Sequence, residues 1–470
     1  MAAEAAPYSK TGGLGDVAGA LPKALARRGH QVCVVTPLYK SVFRDSLRQL
    51  EHTHTLRFPF GAVETRFWCD VSRNGVKTIF VDAPVFFERQ GLYEENGVAY
   101  PDNARRFGFF GAAALTFAQG VGFHADVVHL NDWHTGLAAV ALKRGFAQSS
   151  LRRAKVVMTV HNLAYQGNFQ KGALFDLGLP EALFTPDGVE FHGQVSFMKA
   201  GLTFADAITT VSPTYAREIQ TPAFGEQLEG VLKARAGSLR GVLNGIDTEV
   251  WDPATDALLP ARFRRDDLKG KAFCQRELRK RMGLSPRAKD APAPLFAFIG
   301  RLVNQKGVEL LLKTLPGLLE KGADVVVLGT GEAKYEASLA ELAQWHPKQL
   351  GVRFGFDETL AHWMFAGSDF VLMPSKYEPC GLNQMYAMRY GSVPVVHATG
   401  GLDDSVIDLS LPDGTGLKFA PYTADAFSAA LNRALALFAA PDKLGAVRER
   451  AMSVDHSWGP AAAQYESLYI

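Results

Sequence analysis

Apolar residues in this chain cluster in short runs, and several of these runs are apolar throughout instead of alternating with polar residues. A run of this kind predicts a strand covered on both faces, as in a parallel sheet with crossover helices. The runs are Val32–Thr36, Thr78–Val81, Asp126–Leu130, Val156–Val160, Ile208–Val211, Leu295–Ile299, Val325–Leu328, Phe370–Met373 and Val393–Val396.

Helical patterns lie between these strands, and the alternation predicts an α/β fold. One helix is marked by apolar residues spaced three or four apart: Leu14, Val17, Leu21 and Leu25. Gly29 follows where a glycine commonly ends a helix, whereas Pro22 should kink the helix or begin a second segment. The apolar stretch Phe107–Ala118 is too short to cross a membrane and predicts a buried helix.

The length of 470 residues suggests two or three domains. One run of strand–helix units ends near Val211, and a second begins near Leu295. The stretch Ser285–Pro294 is rich in proline, alanine and charge, which is typical of a linker or of a surface loop inside the second domain.

The charge balance argues against some classes of partner. Lys and Arg number 50 and Asp and Glu number 48, so the formal net charge is +2. The chain therefore lacks the basic excess that is typical of proteins that bind nucleic acid or a membrane surface. The four cysteines are widely spaced, which favours reduced thiols in a cytoplasmic protein. The start of the chain lacks the basic segment and long apolar core of a secretory signal.

A glycine turn precedes the first helix in the segment Lys10-Thr11-Gly12-Gly13-Leu14. Backbone N–H groups at such a turn can approach an anion closely, and the helix N-terminus adds partial positive charge. Lys10 could add a full charge to a phosphate. An ordinary turn before a helix explains the same residues equally well.

Polar residues follow two predicted strands of the first half. Asp132 and Trp133 come after one strand, and His161-Asn162 after another. Ligands of α/β proteins bind at such carboxyl ends, so a shared site is favoured, although a polar loop with a packed indole is the alternative. A metal site built from His129, Asp132 and His134 is not favoured, because no third His or Cys lies nearby.

The second half repeats this arrangement. Arg301 and Lys306 follow the strand Leu295–Ile299 and could bracket a diphosphate, although two surface cations are common. Glu378 lies in a loop stiffened by proline and glycine after the strand Phe370–Met373. A nicotinamide nucleotide is poorly supported, because Lys334 stands where its glycine fingerprint needs a third glycine.

Together these motifs resemble the bacterial glycogen synthase and plant starch synthase family, from about Ala3 to Tyr469. The resemblance is carried by Lys10-Thr11-Gly12-Gly13-Leu14, His161-Asn162, Asn244-Gly245-Ile246-Asp247, Gly300-Arg301, Glu378-Pro379-Cys380-Gly381-Leu382 and Thr399-Gly400-Gly401-Leu402.

The resemblance implies the GT-B fold, with two Rossmann-like domains facing a central cleft. The implied domains are residues 1–243 and 244–455, with a C-terminal helix in 456–470 that packs back on the first. The family normally begins with an apolar strand before the segment matching Ala3–Pro7, but only Met1 precedes it here. We therefore expect either a true start upstream or a first domain without its first strand.

The resemblance also implies the reaction: a retaining transfer of glucose from ADP-glucose to the non-reducing end of an α-1,4-glucan, without metal or cofactor. Neither nucleic acid nor a membrane is an expected partner. The implied catalytic residues are Glu378, His161, Lys306 and Arg301. The implied donor-binding residues are Lys10, Gly12, Gly13, Arg301, Lys306, Gly381, Leu382, Thr399, Gly400 and Gly401. The sugar and acceptor cleft is expected to be lined by Asp16, Asp132, Trp133, Asn162 and Asn244.

Three alternatives remain open from the sequence. One is another GT-B transferase that uses UDP-glucose or a small acceptor. The second is a non-catalytic glucan- or nucleotide-binding protein, inactive because the first strand is absent. The third is a nicotinamide oxidoreductase.

Overall fold

The computed structural model describes residues 1–71, 75–145, 151–287 and 292–469, and it divides into two compact units. Unit 1 contains residues 1–245 and 458–470, and unit 2 contains residues 246–457. Both boundaries lie two residues beyond those expected from the resemblance. The stretch Ser285–Pro294 lies inside unit 2, with residues 288–291 outside the described part of the chain.

Unit 1 combines parallel and antiparallel strands. Its strands are β1 (Cys33–Pro37), β2 (Arg48–Phe58), β3 (Gly61–Val71), β4 (Lys77–Asp82), β5 (Glu94–Glu95), β6 (Val98–Ala99), β7 (Val127–Asn131), β8 (Lys155–Val160), β9 (Asn168–Gln170), β10 (Glu190–Phe191), β11 (Gln194–Ser196), β12 (Ala207–Thr210) and β13 (Leu239–Gly241). The helices that precede unit 2 in the chain are α1 (Gly13–Arg27), α2 (Pro84–Phe87), α3 (Asn103–Gly120), α4 (Trp133–Val140), α5 (Gly172–Asp176), α6 (Phe197–Phe204), α7 (Pro213–Glu218) and α8 (Glu229–Ala234).

Two four-stranded sheets organise unit 1. One is parallel, in the order β13-β12-β8-β7, and the other has the order β1-β4-β3-β2 with only β1 and β4 parallel. The first residues of the chain bond to an edge strand of each sheet. The Ala2 N–H donates to the Val35 carbonyl over 3.1 Å, and the Met1 amino group donates to the His129 carbonyl over 2.7 Å. These two hydrogen bonds hold the start of the chain against β1 and β7.

Unit 2 is built on one sheet of six parallel strands. The strands are β14 (Leu295–Ile299), β15 (Asp324–Gly329), β16 (Leu350–Phe354), β17 (Phe370–Met373), β18 (Val393–His397) and β19 (Leu417–Phe419). The helices are α9 (Lys269–Arg281), α10 (Val308–Glu320), α11 (Ala333–Trp345), α12 (Glu358–Gly367), α13 (Asn383–Arg389), α14 (Gly400–Ser405), α15 (Ala424–Phe438) and α16 (Pro441–Ser453).

The strand order of unit 2 places a ligand site. The order β16-β15-β14-β17-β18-β19 is that of a doubly wound Rossmann sheet, and the chain reverses direction across the sheet between β14 and β17. Ligands of open α/β sheets bind outside the carboxyl ends of the strands at this switch point. The loops after Ile299 and Met373 are therefore the first place to look for chemistry.

The last helix, α17 (Trp458–Tyr469), belongs to unit 1 and packs on α1. Trp458 and Tyr465 share an apolar cluster with Val17 and Leu21. Arg28 donates from Nε to Glu466 over 2.8 Å. Pro460 lies in the first turn of α17, where a missing N–H leaves no helical bond unmade, so the helix forms normally.

The strand predictions are confirmed, and every proposed run forms a strand whose ends shift by no more than one residue. The stretch Phe107–Ala118 forms the interior of α3, as expected of a buried helix. The prediction that Pro22 begins a second segment is wrong, because α1 runs unbroken from Gly13 to Arg27. Within the described ranges, no helix combines the length and apolarity needed to span a bilayer.

Candidate active site

An ion pair occupies the switch point of unit 2. Lys306 lies in the loop after β14, and its Nζ donates to Oε2 of Glu378, in the loop after β17, over 2.6 Å. Ser375 Oγ donates to the same oxygen over 3.0 Å. The Glu378 side chain is 7% exposed and that of Lys306 is 24% exposed, so the carboxylate is held below a more accessible ammonium group.

The two loops that carry this pair are joined through their backbones. The Lys376 N–H donates to the Gln305 carbonyl over 2.8 Å. Gly307 has φ +74°, and a Cβ there would lie 1.8 Å from the Pro374 carbonyl oxygen. Only glycine permits this approach. Arg301 begins the same loop with an exposed side chain, whose Nη2 lies 3.4 Å from Gln305 Oε1.

The second glycine pair of the motif lies directly behind Glu378. A Cβ on Gly400 would lie 2.0 Å from the Glu378 carbonyl oxygen, and one on Gly401 would lie 2.2 Å from the Cys380 carbonyl oxygen. The Gly401 N–H donates to the Glu378 carbonyl over 3.1 Å. These glycines therefore let two backbones pack together and hold the Glu378 loop. Three further predicted donor-binding residues lie in the same loops: Gly381 beside Glu378, Leu382 before α13 and Thr399 before α14.

In unit 1 the glycine turn lies at the surface with room around it. Apart from the adjoining backbone, no heavy atom of the described residues lies within 4 Å of a Cβ built on Gly12 or Gly13. Lys10 Nζ lies 2.7 Å from Asp16 Oδ1, and both side chains are partly exposed. The turn therefore carries the Lys10–Asp16 ion pair and has space around its glycines, and phosphate binding there stays a prediction.

Two N–H groups of the turn, those of Thr11 and Gly12, already donate to a carboxylate of the protein itself. Glu4 Oε2 accepts the N–H of Thr11 over 2.6 Å and that of Gly12 over 3.3 Å. Glu4 is only 3% exposed and was not predicted as a site residue. The signal for it was a single charge within the otherwise apolar start Ala2–Pro7.

Asp132 holds the loop that carries His161. Its Oδ1 accepts the His161 N–H over 2.7 Å, and its own N–H donates to the Thr159 carbonyl over 2.9 Å. Asp132 has φ +56°, which is uncommon outside glycine and marks a strained position. Burial disfavours the charged form and raises the pKa of the Asp132 carboxyl to about 7.

His161 is a neutral ring in a defined tautomer. Asn131 Nδ2 donates to the Met1 carbonyl over 3.0 Å, so Asn131 Oδ1 accepts from His161 Nε2 over 2.9 Å. The other ring nitrogen, Nδ1, is then a hydrogen-bond acceptor. Burial lowers the pKa of His161 to about 3, which keeps the ring uncharged at neutral pH. The sequence did not predict this role for Asn131.

Trp133, which is predicted to line the sugar cleft, has a largely covered indole in the structure. The indole is 8% exposed, its ring lies 3.9 Å from the stacked ring of His134, and it meets Phe107 edge-on at 5.1 Å. A Cβ on Gly167 would lie 2.3 Å from the indole, which shows how closely the chain covers it. Trp133 therefore packs under the strand ends instead of presenting an open face to a sugar.

The remaining predicted residues of unit 1 lie in loops. Asn162 Oδ1 accepts the Ala164 N–H over 3.1 Å and so stabilises its own turn. Asn244 is 7% exposed, and its Oδ1 finds no donor in the described residues.

His129, weighed as a metal ligand, lies inside β7, with Nδ1 2.8 Å from the Tyr469 hydroxyl. The part of the chain that the structure describes has no group of three His, Cys, Asp or Glu side chains placed to hold a metal ion.

Comparison with known proteins places the chain in a family. A model of the starch synthase catalytic domain matches residues 1–234, and one of glycosyl transferases group 1 matches residues 285–446. The whole chain is 51% identical to glycogen synthase of Myxococcus xanthus and covers 98% of that protein. The chain belongs to the glycogen and starch synthase family. It is a glycosyltransferase of that family, as expected from its motifs.

Solved structures agree with this family and with its fold. The chain superposes with a TM-score of 0.93 on the catalytic domain of starch synthase IV from Arabidopsis thaliana bound to ADP and acarbose, at 36% identity and covering 100% of this chain and 97% of that one. Sucrose-phosphate synthase from Thermosynechococcus elongatus has a TM-score of 0.58 at 18% identity, covers 98% and 94%, and supports the fold alone. The predicted GT-B fold class is confirmed.

Proposed function

We propose that this glycosyltransferase moves glucose from ADP-glucose to the non-reducing end of an α-1,4-glucan, with retained anomeric configuration and without metal or cofactor. The observation that carries the proposal is the ion pair of Lys306 and Glu378 at the switch point of unit 2. The donor and acceptor classes are supported by the similar starch synthase, whose structure holds ADP and acarbose.

The cations of unit 2 act on the leaving group. Breaking the bond between C1 of glucose and the diphosphate oxygen places negative charge on ADP. Lys306 and Arg301 supply positive charge to that diphosphate, and Lys306 is already positioned by Glu378 over 2.6 Å. Groups fixed before the reaction stabilise the transition state without the cost of reorganisation.

The environment of Glu378 favours a reaction on one face of the sugar. Both Lys306 and Ser375 donate to Oε2 of Glu378. These two hydrogen bonds stabilise the carboxylate and make it a weak nucleophile. A double displacement needs a carboxylate close to C1. We infer instead that the acceptor hydroxyl oxygen bonds to C1 on the face from which ADP leaves. The bond from C1 to the diphosphate breaks, and the hydroxyl proton passes to the diphosphate oxygen.

Unit 1 supplies groups for the sugar. His161 Nδ1 is an acceptor in the assigned tautomer and suits a glucose hydroxyl, while Asp132 fixes the loop through the His161 N–H. Lys10 adds charge near the donor, and Asp16 and Asn244 contact the sugar or the acceptor. The reaction is expected in the cytoplasm, since all four cysteines are free thiols.

The test is a donor panel with glycogen as acceptor. Glucose labelled with ¹⁴C is offered as ADP-glucose or UDP-glucose, with and without EDTA, and incorporation is measured. We expect ADP-glucose to be the faster donor, EDTA to have no effect, and the added residues to be α-1,4-linked by ¹H NMR. Faster transfer from UDP-glucose would overturn the donor assignment, a β-linkage would overturn retention, and loss of activity in EDTA would overturn metal independence.

A further inference from the structure

Glu4 is the most heavily engaged polar side chain near the glycine turn, and no step above uses it. Its two carboxylate oxygens accept four hydrogen bonds. Oε2 accepts the N–H groups of Thr11 and Gly12, over 2.6 and 3.3 Å. Oε1 accepts the hydroxyls of Thr11 and Tyr93, each over 2.6 Å.

This arrangement shows what shapes the turn. A carboxylate that is 3% exposed is costly unless donors surround it, and here four donors do. Two of them are backbone N–H groups of the turn itself, so the turn is folded around an anion within the chain. The cation next to this turn is Lys10, one residue before Thr11, whose side chain is 43% exposed and whose Nζ lies 2.7 Å from Asp16 Oδ1.

Tyr93 links Glu4 to the other loop of unit 1. Its ring lies 4.6 Å from that of His134, in the first turn of α4. Asp132 immediately precedes α4 and accepts the His161 N–H. A continuous set of contacts therefore runs from the glycine turn through Glu4 and Tyr93 to the helix that supports the His161 loop.

We propose that Glu4 is a positioning residue, whose carboxylate fixes the glycine turn and thereby places the Lys10 ammonium for glucosyl transfer. The inference rests on the proposed function, because Lys10 has a role only if a sugar nucleotide is the donor. Glu4 itself touches neither substrate nor reacting atoms. It acts through hydrogen-bond geometry.

Two substitutions at this position separate geometry from charge. In Glu4→Gln the amide oxygen can accept the two N–H groups and the amide nitrogen can donate to the two hydroxyls. We expect this variant to keep kcat/KM for ADP-glucose within about tenfold of wild type, the loss reflecting weaker neutral hydrogen bonds. Glu4→Ala leaves the donors of the turn unpaired. We expect the turn to shift by about 1 Å in this variant and kcat/KM for ADP-glucose to fall on the order of 100-fold.

A double-mutant cycle separates positioning from general stability. If Glu4 acts through Lys10, then Glu4→Ala should lower kcat/KM much less in the Lys10→Ala background than in wild type. Asp206→Ala is the matched control. Asp206 accepts the Val156 N–H over 2.7 Å at the amino end of β8, opposite the carboxyl end of that strand, which His161 follows. This substitution should lower the melting temperature and leave kcat/KM unchanged.

The outcomes distinguish this inference from the proposed function. If the wild-type protein transfers no glucose from ADP-glucose, the proposed function fails. If wild type is active, the inference is contradicted by an active Glu4→Ala variant, by equal losses in Glu4→Gln and Glu4→Ala, or by additive losses in the cycle with Lys10→Ala. Recovery by glutamine together with a non-additive cycle supports it.

Discussion

The two units hold their polar groups in different ways. In unit 2 the candidate site is an ion pair, Lys306 with Glu378, on loops joined by glycine backbones in contact. In unit 1 it is a pair of loops fixed by buried carboxylates, Glu4 and Asp132, that accept backbone N–H groups. Unit 2 thus has an ion pair beside the exposed Arg301, whereas unit 1 has the Lys10–Asp16 ion pair and a neutral histidine on loops held by hydrogen bonds to backbone N–H groups.

This difference matches the chemistry proposed for each unit. A diphosphate leaving group gains negative charge, so it is stabilised by cations already in place. A glucose ring carries hydroxyl groups and no charge, so it is held by acceptors and donors of fixed geometry, such as His161.

The largest effect is expected from removing charge in unit 2. Lys306→Ala should lower kcat with ADP-glucose by about 100- to 1,000-fold, because it removes a preplaced cation and leaves the carboxylate of Glu378 unpaired. Arg281→Ala, which breaks a 2.7 Å ion pair with Asp357 elsewhere in unit 2, is the control and should keep wild-type kcat. Equal kcat values in Lys306→Ala and Arg281→Ala would contradict the proposed action of Lys306 on the leaving group.

The glycine pairs of the two units should respond differently to an added methyl group. Gly401→Ala places a Cβ 2.2 Å from the Cys380 carbonyl oxygen and should lower the free energy of unfolding by about 1–3 kcal/mol, with loss of activity. Gly12→Ala meets no atom within 4 Å and should cost at most about 1 kcal/mol, as expected at a helix N-cap. Urea unfolding of both variants measures this, and equal costs would contradict it.

A third prediction concerns pH and the buried carboxyl of Asp132. Its pKa is raised to about 7 in the folded state, from 3.8. Its protonation therefore contributes stability that is fully present below about 3.8 and is lost as pH rises through about 7. Asp132→Asn cannot titrate. As pH falls from 7 to 5, wild type should gain stability relative to this variant, by at most about 1.4 kcal/mol per pH unit.

Urea unfolding of wild type and Asp132→Asn at several pH values measures this difference. Asp206→Asn serves as the control at a partly exposed carboxylate that also accepts a backbone N–H. A difference between wild type and Asp132→Asn that stays constant with pH would show that Asp132 is not buried in a carboxylate-disfavouring site.

The smallest effect on activity is expected at Trp133. Trp133→Phe keeps a ring in the packed position beside His134 and Phe107, so we expect a loss of about 1–2 kcal/mol in the free energy of unfolding. The KM for glycogen should not change. An increase in the KM for glycogen without a loss of stability would show instead that the indole contacts the sugar.

How far the sequence could predict these results depends on the kind of pattern. The parallel strands were predicted because burial on both faces leaves continuous apolar runs. The antiparallel hairpin of β2 and β3 was missed, because only alternate residues such as Thr65, Phe67 and Cys69 are buried in β3. An alternation of apolar and polar residues is a weaker sequence signal for a strand than a continuous apolar run, and continuous runs dominate this chain.

The site residues show the same limit. Lys306 and Glu378 could be predicted from their places after two strands, because the switch point of a parallel sheet follows from strand order. The role of Glu4 could not, because its partners at Thr11, Gly12 and Tyr93 are set by the fold and not by local spacing. The packing of the Trp133 indole could not be predicted either, because sequence does not distinguish a packed aromatic residue from an exposed one.

The most direct test of the central claim is transfer of labelled glucose from ADP-glucose to glycogen by wild type and Glu378→Ala, side by side at saturating donor. The account predicts transfer by wild type and a loss of at least about 100-fold in the variant, because the carboxylate that holds Lys306 is gone. A folded Glu378→Ala protein that transfers glucose at the wild-type rate would contradict the account.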